Sequence, residues 1–102
     1  MSFAVKVDPE AEREWHDAVL YYGGDDPVVG HRLNVAIRDV LRAIAQEPER
    51  FARVTKLTCK VKVPRPWPYS VYFTVDAEHR EIRVLAVWHG ARNPDELRRR
   101  FK

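Results

Sequence analysis

Leu57-Thr58-Cys59-Lys60-Val61-Lys62-Val63 is the stretch on which the fold turns. Leu57, Cys59, Val61 and Val63 alternate with Lys56, Thr58, Lys60 and Lys62, a period of two that an extended strand converts into one apolar face and one cationic face. The apolar residues are expected to face a layer of helices, which sends Lys56, Lys60 and Lys62 to the opposite side of the sheet.

Upstream of Pro48 the period is helical. Phe3, Val5 and Val7 first alternate as a half-buried strand. Asp8 and Pro9 then form a helix start, and Ala11, Trp15, Ala18, Val19 and Tyr22 repeat on one face until Gly23 and Gly24. Asp26 and Pro27 repeat the start signal ahead of a stronger stripe of Val29, Leu33, Ile37, Val40, Leu41 and Ile44. So short a turn makes the two helices pack antiparallel. The aliphatic groups of the second stripe, at about 1.5 to 3 kcal/mol each when fully buried, are expected to dominate its docking.

Downstream, Pro64, Pro66 and Pro68 break the chain before a strand from Tyr69 to Val75. A polar turn from Asp76 to Arg80 leads into Ile82 to Trp88, a near-continuous apolar run suited to a central strand covered on both faces. Residues 93–102 open with a helix-start pattern at Pro94, Asp95 and Glu96 and continue into Arg98, Arg99 and Arg100, as a short helix or a tail. The order strand, helix, helix, strand, strand, strand predicts an α+β fold, with a helical hairpin packed on one face of a mostly antiparallel sheet and the other face open.

A chain of 102 residues suits one domain, taken as 1–102, and its 45% hydrophobic and 32% charged composition is that of a folded protein. The longest apolar run, near residues 84–88, is far short of a membrane span, and no secretory leader pattern opens the chain, so a cytoplasmic location is expected. The lone Cys59 alternates with apolar residues and reads as a small buried hydrophobe. No pair of histidines or cysteines has metal-ligand spacing, so neither a metal nor a cofactor is expected.

Charge is divided unevenly. Residues 1–51 carry six Lys and Arg against ten Asp and Glu, and residues 52–102 carry twelve against five, so the halves stand at −4 and +7 beneath a total of +3. A polyanionic partner, nucleic acid or an acidic protein segment, fits the second half. His89 and Arg92 follow the strand end at Trp88 within His89-Gly90-Ala91-Arg92-Asn93-Pro94, with no evident acid nearby except Asp95 and Glu96, and they point to an anion. Lys56, Lys60 and Lys62 read equally well as a nucleic-acid surface or as the wet face of a strand near the sheet edge. Trp15 and Trp88 read as core residues, whereas Trp67, flanked by Pro66 and Pro68, sits on a rigid segment suited to an exposed contact. His16 and His31 fall off the apolar stripes, and His79 falls in a turn.

The element order, the Glu and Trp of the first helix, the stretch Trp67-Pro68-Tyr69-Ser70-Val71-Tyr72-Phe73 and the stretch Val84 to Pro94 together resemble the RelE/ParE superfamily, the toxins of type II toxin-antitoxin pairs, also known as plasmid stabilisation proteins. The resemblance implies growth arrest relieved by a cognate antitoxin, whose amphipathic, acidic segment would lie over the apolar helix face and the basic sheet face. RelE-like members are ribosome-dependent mRNA endoribonucleases, which need cations for the scissile phosphate, a base and an acid. Lys60 and Lys62 look like their paired lysines, Arg92 like their strand-end arginine, and His89 like the histidine of some relatives. Ser70 stands where those enzymes carry an arginine, so Arg65 or Arg83 would have to supply that cation, and the tail after Arg92 lacks a tyrosine. ParE-like members bind DNA gyrase without cutting RNA, and the Trp67 to Phe73 and His89 to Pro94 stretches look more like theirs. For that reading Lys56, Lys60, Lys62, Arg65, Trp67, Arg83 and Arg92 would contact the target, and the protein would not be an enzyme. A non-toxic module that binds RNA or a protein on the same fold is the remaining alternative.

Overall fold

Strand β1 (Ala4–Val7), helices α1 (Pro9–Gly23) and α2 (Pro27–Gln46), strands β2 (Thr58–Lys62), β3 (Tyr69–Asp76) and β4 (Glu81–His89), and helix α3 (Pro94–Arg98) follow one another in the computed structural model. The structure describes residues 2–101, so Met1 and Lys102 lie outside the described residues. A single turn of tight helix, Pro48–Arg50, closes α2. The sheet has the order β1-β4-β3-β2, with β1 parallel to β4 and the other pairs antiparallel. The apolar run from Ile82 to Trp88 is central, as its composition requires.

One face of the sheet meets the helical hairpin. Leu33, Ile37, Val40 and Ile44 of α2 are buried together with Val71, Phe73, Ile82, Val84 and Val87. Between Tyr72 and Phe73 the register shifts, so that Tyr72 faces Ala86 and Phe73 faces Val84. Leu85 is the extra residue of a bulge, which keeps both Val84 and Val87 on the helix side. The two helix starts differ. Asp26 caps α2 by accepting from Val28 N–H at 3.0 Å, but Asp8 makes no side-chain cap and pairs with Arg83 at 3.1 Å.

Two expectations fail. Leu57 does not face the helices but is 58% exposed, because β2 begins only at Thr58 and Leu57 falls in the turn before it, where the strand alternation does not apply. The Thr55 hydroxyl accepts from Leu57 N–H and Thr58 N–H and bends the chain just before the strand, and exposed Lys56 belongs to that turn. The far face of the sheet is not open either. Leu97 of α3 and Phe101, four residues apart, pack on Tyr72, Ala86 and Trp88 and build a second, smaller core there.

The hairpin turn depends on close backbone contact. A Cβ on Gly30 would lie 2.7 Å from Gly23 Cα and 2.9 Å from the Val19 carbonyl oxygen. Gly30→Ala is expected to cost about 2 kcal/mol in urea unfolding, as overpacking does. Gly24→Ala, whose Cβ would meet nothing nearer than 3.4 Å, should be neutral or stabilising by about 0.5 kcal/mol.

Candidate target-binding surface

The strand register arranges the cations of the far face. Lys60 stands opposite Tyr72, which stands opposite Ala86, while Lys62 stands opposite Ser70, which stands opposite Trp88. Lys60 Nζ lies 5.8 Å from the Tyr72 ring centre, and the Arg92 guanidinium lies 3.7 Å from that of Trp88. Lys60, Lys62 and Arg92 therefore share one side of the sheet, with the Lys62 and Trp88 backbones about 10 Å apart across two strand spacings. Arg83 occupies the same face five residues before Trp88, about 16 Å away along the strand, and is held by Asp8. Exposed Arg65 lies in the loop between β2 and β3.

His89 belongs to the other face. It is the cross-strand partner of Tyr69, with ring centres 5.2 Å apart, and Tyr69 continues into an array with Tyr22 and Trp67 on the helix side. Its Nδ1 accepts from Ala91 N–H at 2.9 Å, so the hydrogen-bond pattern assigns the proton of the neutral ring to Nε2. Trp67 is half-buried against Tyr22 and the main core rather than displayed alone. Burial pushes the Tyr69 phenol up, and neighbouring Tyr22 and Tyr21 add to that. Burial likewise raises the Cys59 thiol and keeps it from acting as a thiolate.

Arg92 has a partner that local reading of the sequence does not reveal. Strand β1 pairs only as far as Val84, and beyond that point α1 lies beside β4 and brings Glu14 to it. Glu14 Oε1 accepts from Val87 N–H at 3.1 Å, and Glu14 Oε2 accepts from Arg92 Nη1 at 2.7 Å. Arg100 adds a two-pronged pair with Glu14 at 2.9 Å on each prong, a contact with Glu10 at 3.2 Å and a hydrogen bond to the Leu85 carbonyl. Pairing with Glu14 pushes the Arg100 guanidinium up from its already high ordinary value. Arg92 Nη2 donates to Glu96 at 3.3 Å, so carboxylates engage both of its terminal nitrogens. Of the tail arginines, Arg98 pairs with Asp95 on the surface, Arg99 is exposed and Arg100 turns inward. Glu14 carries one legible signal, since it sits on the buried stripe between Ala11 and Ala18 at helical spacing.

The sequence between residues 5 and 94 matches the family described as ParE toxin of type II toxin-antitoxin system, parDE. The chain belongs to this family of toxins. No curated protein matches the sequence. Among solved structures, the chain is similar to the chromosomal ParDE toxin-antitoxin system of Pseudomonas aeruginosa, at 17% identity over 86% of this chain and 96% of that one, with a TM-score of 0.72. It is similar to the toxin-antitoxin complex RelBE2 of Mycobacterium tuberculosis, at 18% identity over 87% and 99% with a TM-score of 0.65. The isolated RelE toxin of Escherichia coli aligns at 18% identity over 98% and 100% with a TM-score of 0.66. At such identities the structural likeness speaks for the fold, and the matched family speaks for the toxin class.

Glu14 and Arg100 are largely buried, at 13% and 18% side-chain exposure, so Glu14→Gln leaves Arg100 with only the more exposed Glu10 and Arg92 with only Glu96, and is expected to cost about 3 kcal/mol in urea unfolding. Arg92→Ala, at a side chain 40% exposed, should cost no more than about 1 kcal/mol.

Proposed function

We propose that this chain, acting as one domain spanning 1–102 in the cytoplasm, arrests growth by binding DNA gyrase and is neutralised by a cognate antitoxin. The arrangement around Arg92 carries the choice of target. A ribonuclease needs free cations on the scissile phosphate, with a base and an acid in the same site. Here both terminal nitrogens of Arg92 are engaged by carboxylates, and His89 lies on the opposite face from Lys60 and Lys62. The row across the sheet reads Lys62, Ser70, Trp88, with a hydroxyl where a phosphate-holding cation would be needed. Arg83 is tied to Asp8 at the far end of β4, which leaves only Arg65 to replace it. Lys60 and Lys62 remain a basic surface suited to the DNA held by gyrase, and Arg65 is exposed in the loop that follows their strand.

For the antitoxin, the helix side offers a groove of about 760 Å³ beside edge strand β1, with Val7, Trp15 and Val19 among its lining residues. It continues past Val5 and Leu41 beneath Arg38 and Arg42, so an amphipathic acidic segment fits it. A segment laid on the far face instead has to compete with Leu97 and Phe101, which already cover Tyr72 and Trp88.

Induction of the chain alone should stop bacterial growth, and the neighbouring gene should restore it; healthy growth at good yield would instead indicate a non-toxic module. Purified protein should block supercoiling by gyrase and trap cleaved DNA. Cleavage of message only in the presence of ribosomes would replace this reading with the endoribonuclease. Lys60→Ala should reduce the salt dependence of binding to the gyrase–DNA complex by about one unit of slope.

A further inference from the structure

Residues 14–31 contain four carboxylates, Glu14, Asp17, Asp25 and Asp26, and no lysine or arginine, in a chain whose net charge is +3. Glu14 is consumed by Arg92 and Arg100. Asp25 and Asp26 are exposed in the turn at the tip of the helical hairpin and Asp17 is exposed on α1 below it, and none of the three is in an ion pair among the described residues. Asp26 is partly occupied in capping α2. Between them the tip displays Leu20, Tyr21 and Val28 at 58%, 77% and 56% exposure. On α1, Asp17 precedes Tyr21 by four residues, so the two share a face.

The backbone behind these residues is closely packed. Tyr21 packs edge-on against Tyr22 at 5.2 Å, and Tyr22 in turn against Trp67 at 5.2 Å. Gly23 and Gly30 bring the two helices into backbone contact directly behind these side chains. A tyrosine offers a large contact area with only two side-chain torsions to order on binding, which is how it comes to dominate interfaces.

We propose that the hairpin tip is a docking surface for a basic segment of a protein partner, one that presents lysine or arginine beside an apolar residue. A guanidinium or ammonium group can lie on the exposed Tyr21 ring while Asp17 and Asp25 supply the counter-charge, and the apolar neighbour covers Leu20 and Val28. Unpaired carboxylates repel nucleic acid and an acidic peptide, and a second tip meeting this one would set like charges together. The surface itself does not depend on the toxin reading. Its assignment to the toxin's target does rest on it: a protein bound to nucleic acid offers a basic segment to the tip and a polyanion to the lysine face.

The test titrates a fluorescein-labelled peptide of arginine, leucine and glycine into the full chain, into Tyr21→Ala and into the double variant Asp17→Asn with Asp25→Asn, with amide shifts recorded in parallel. Binding should weaken about tenfold in each variant, with the wild-type shifts centred on residues 17–28. Equal binding by the variants, or shifts centred elsewhere, overturns the surface. So does concentration-dependent self-association that Asp25→Lys abolishes, because the tip would then be taken by the basic face of another copy. In growth assays the same variants should relieve arrest while melting at the wild-type temperature and keeping the antitoxin. Wild-type protein that fails to arrest growth removes the toxin reading, and the titration still decides the surface. Arrest unchanged in variants that have lost the peptide overturns the assignment to the target.

Discussion

One carboxylate joins the parts of this molecule that sequence order keeps apart. Glu14 extends from the first helix to the open flank of the central strand, where it accepts the Val87 amide, and it gathers Arg92 and Arg100 from beyond the strand's end. The two guanidinium groups lie 3.7 and 5.2 Å from the centre of the Trp88 ring. The Glu14–Arg100 pair at the centre of this cluster is costly to desolvate and becomes favourable only when both groups are in place. It orders the chain after His89 and returns Leu97 and Phe101 to the sheet.

That return divides the sheet's far face. Tyr72 and Trp88 are covered by the tail, Lys60 and Lys62 remain at its margin, and the cation at the strand end is largely neutralised. The family fold serves more than one kind of poison, and the side chains at the strand ends decide which chemistry is available. In this chain those side chains cover and pair, and His89 is turned to the other side. This arrangement is what supports the proposed target-binding reading over cleavage of a phosphodiester.

The uneven charge along the chain becomes a spatial division. The acidic half forms a hairpin whose tip carries carboxylates beside exposed apolar groups, and the basic half supplies the lysine face. The two surfaces suit partners of opposite charge, as a protein and the nucleic acid it holds would be.

Element order and the inward positions of the second helix were legible in the sequence, because the change from helical period to period two at the lysine strand is a local signal. The same alternation put Lys60 and Lys62 on the face away from the helices. Leu57 escaped it, since a threonine-bent turn ends the pattern one residue early. The covered far face and the partner of Arg92 were not legible, because each joins groups distant along the chain: Phe101 meets Tyr72, and Glu14 meets a guanidinium 78 residues later. The sequence by itself determined the strands, the helices and which side of each is apolar, because those follow from spacing along one element. Only the tertiary structure decided which cations remain free and which side of the sheet His89 occupies, because that depends on where separate elements come to lie against one another.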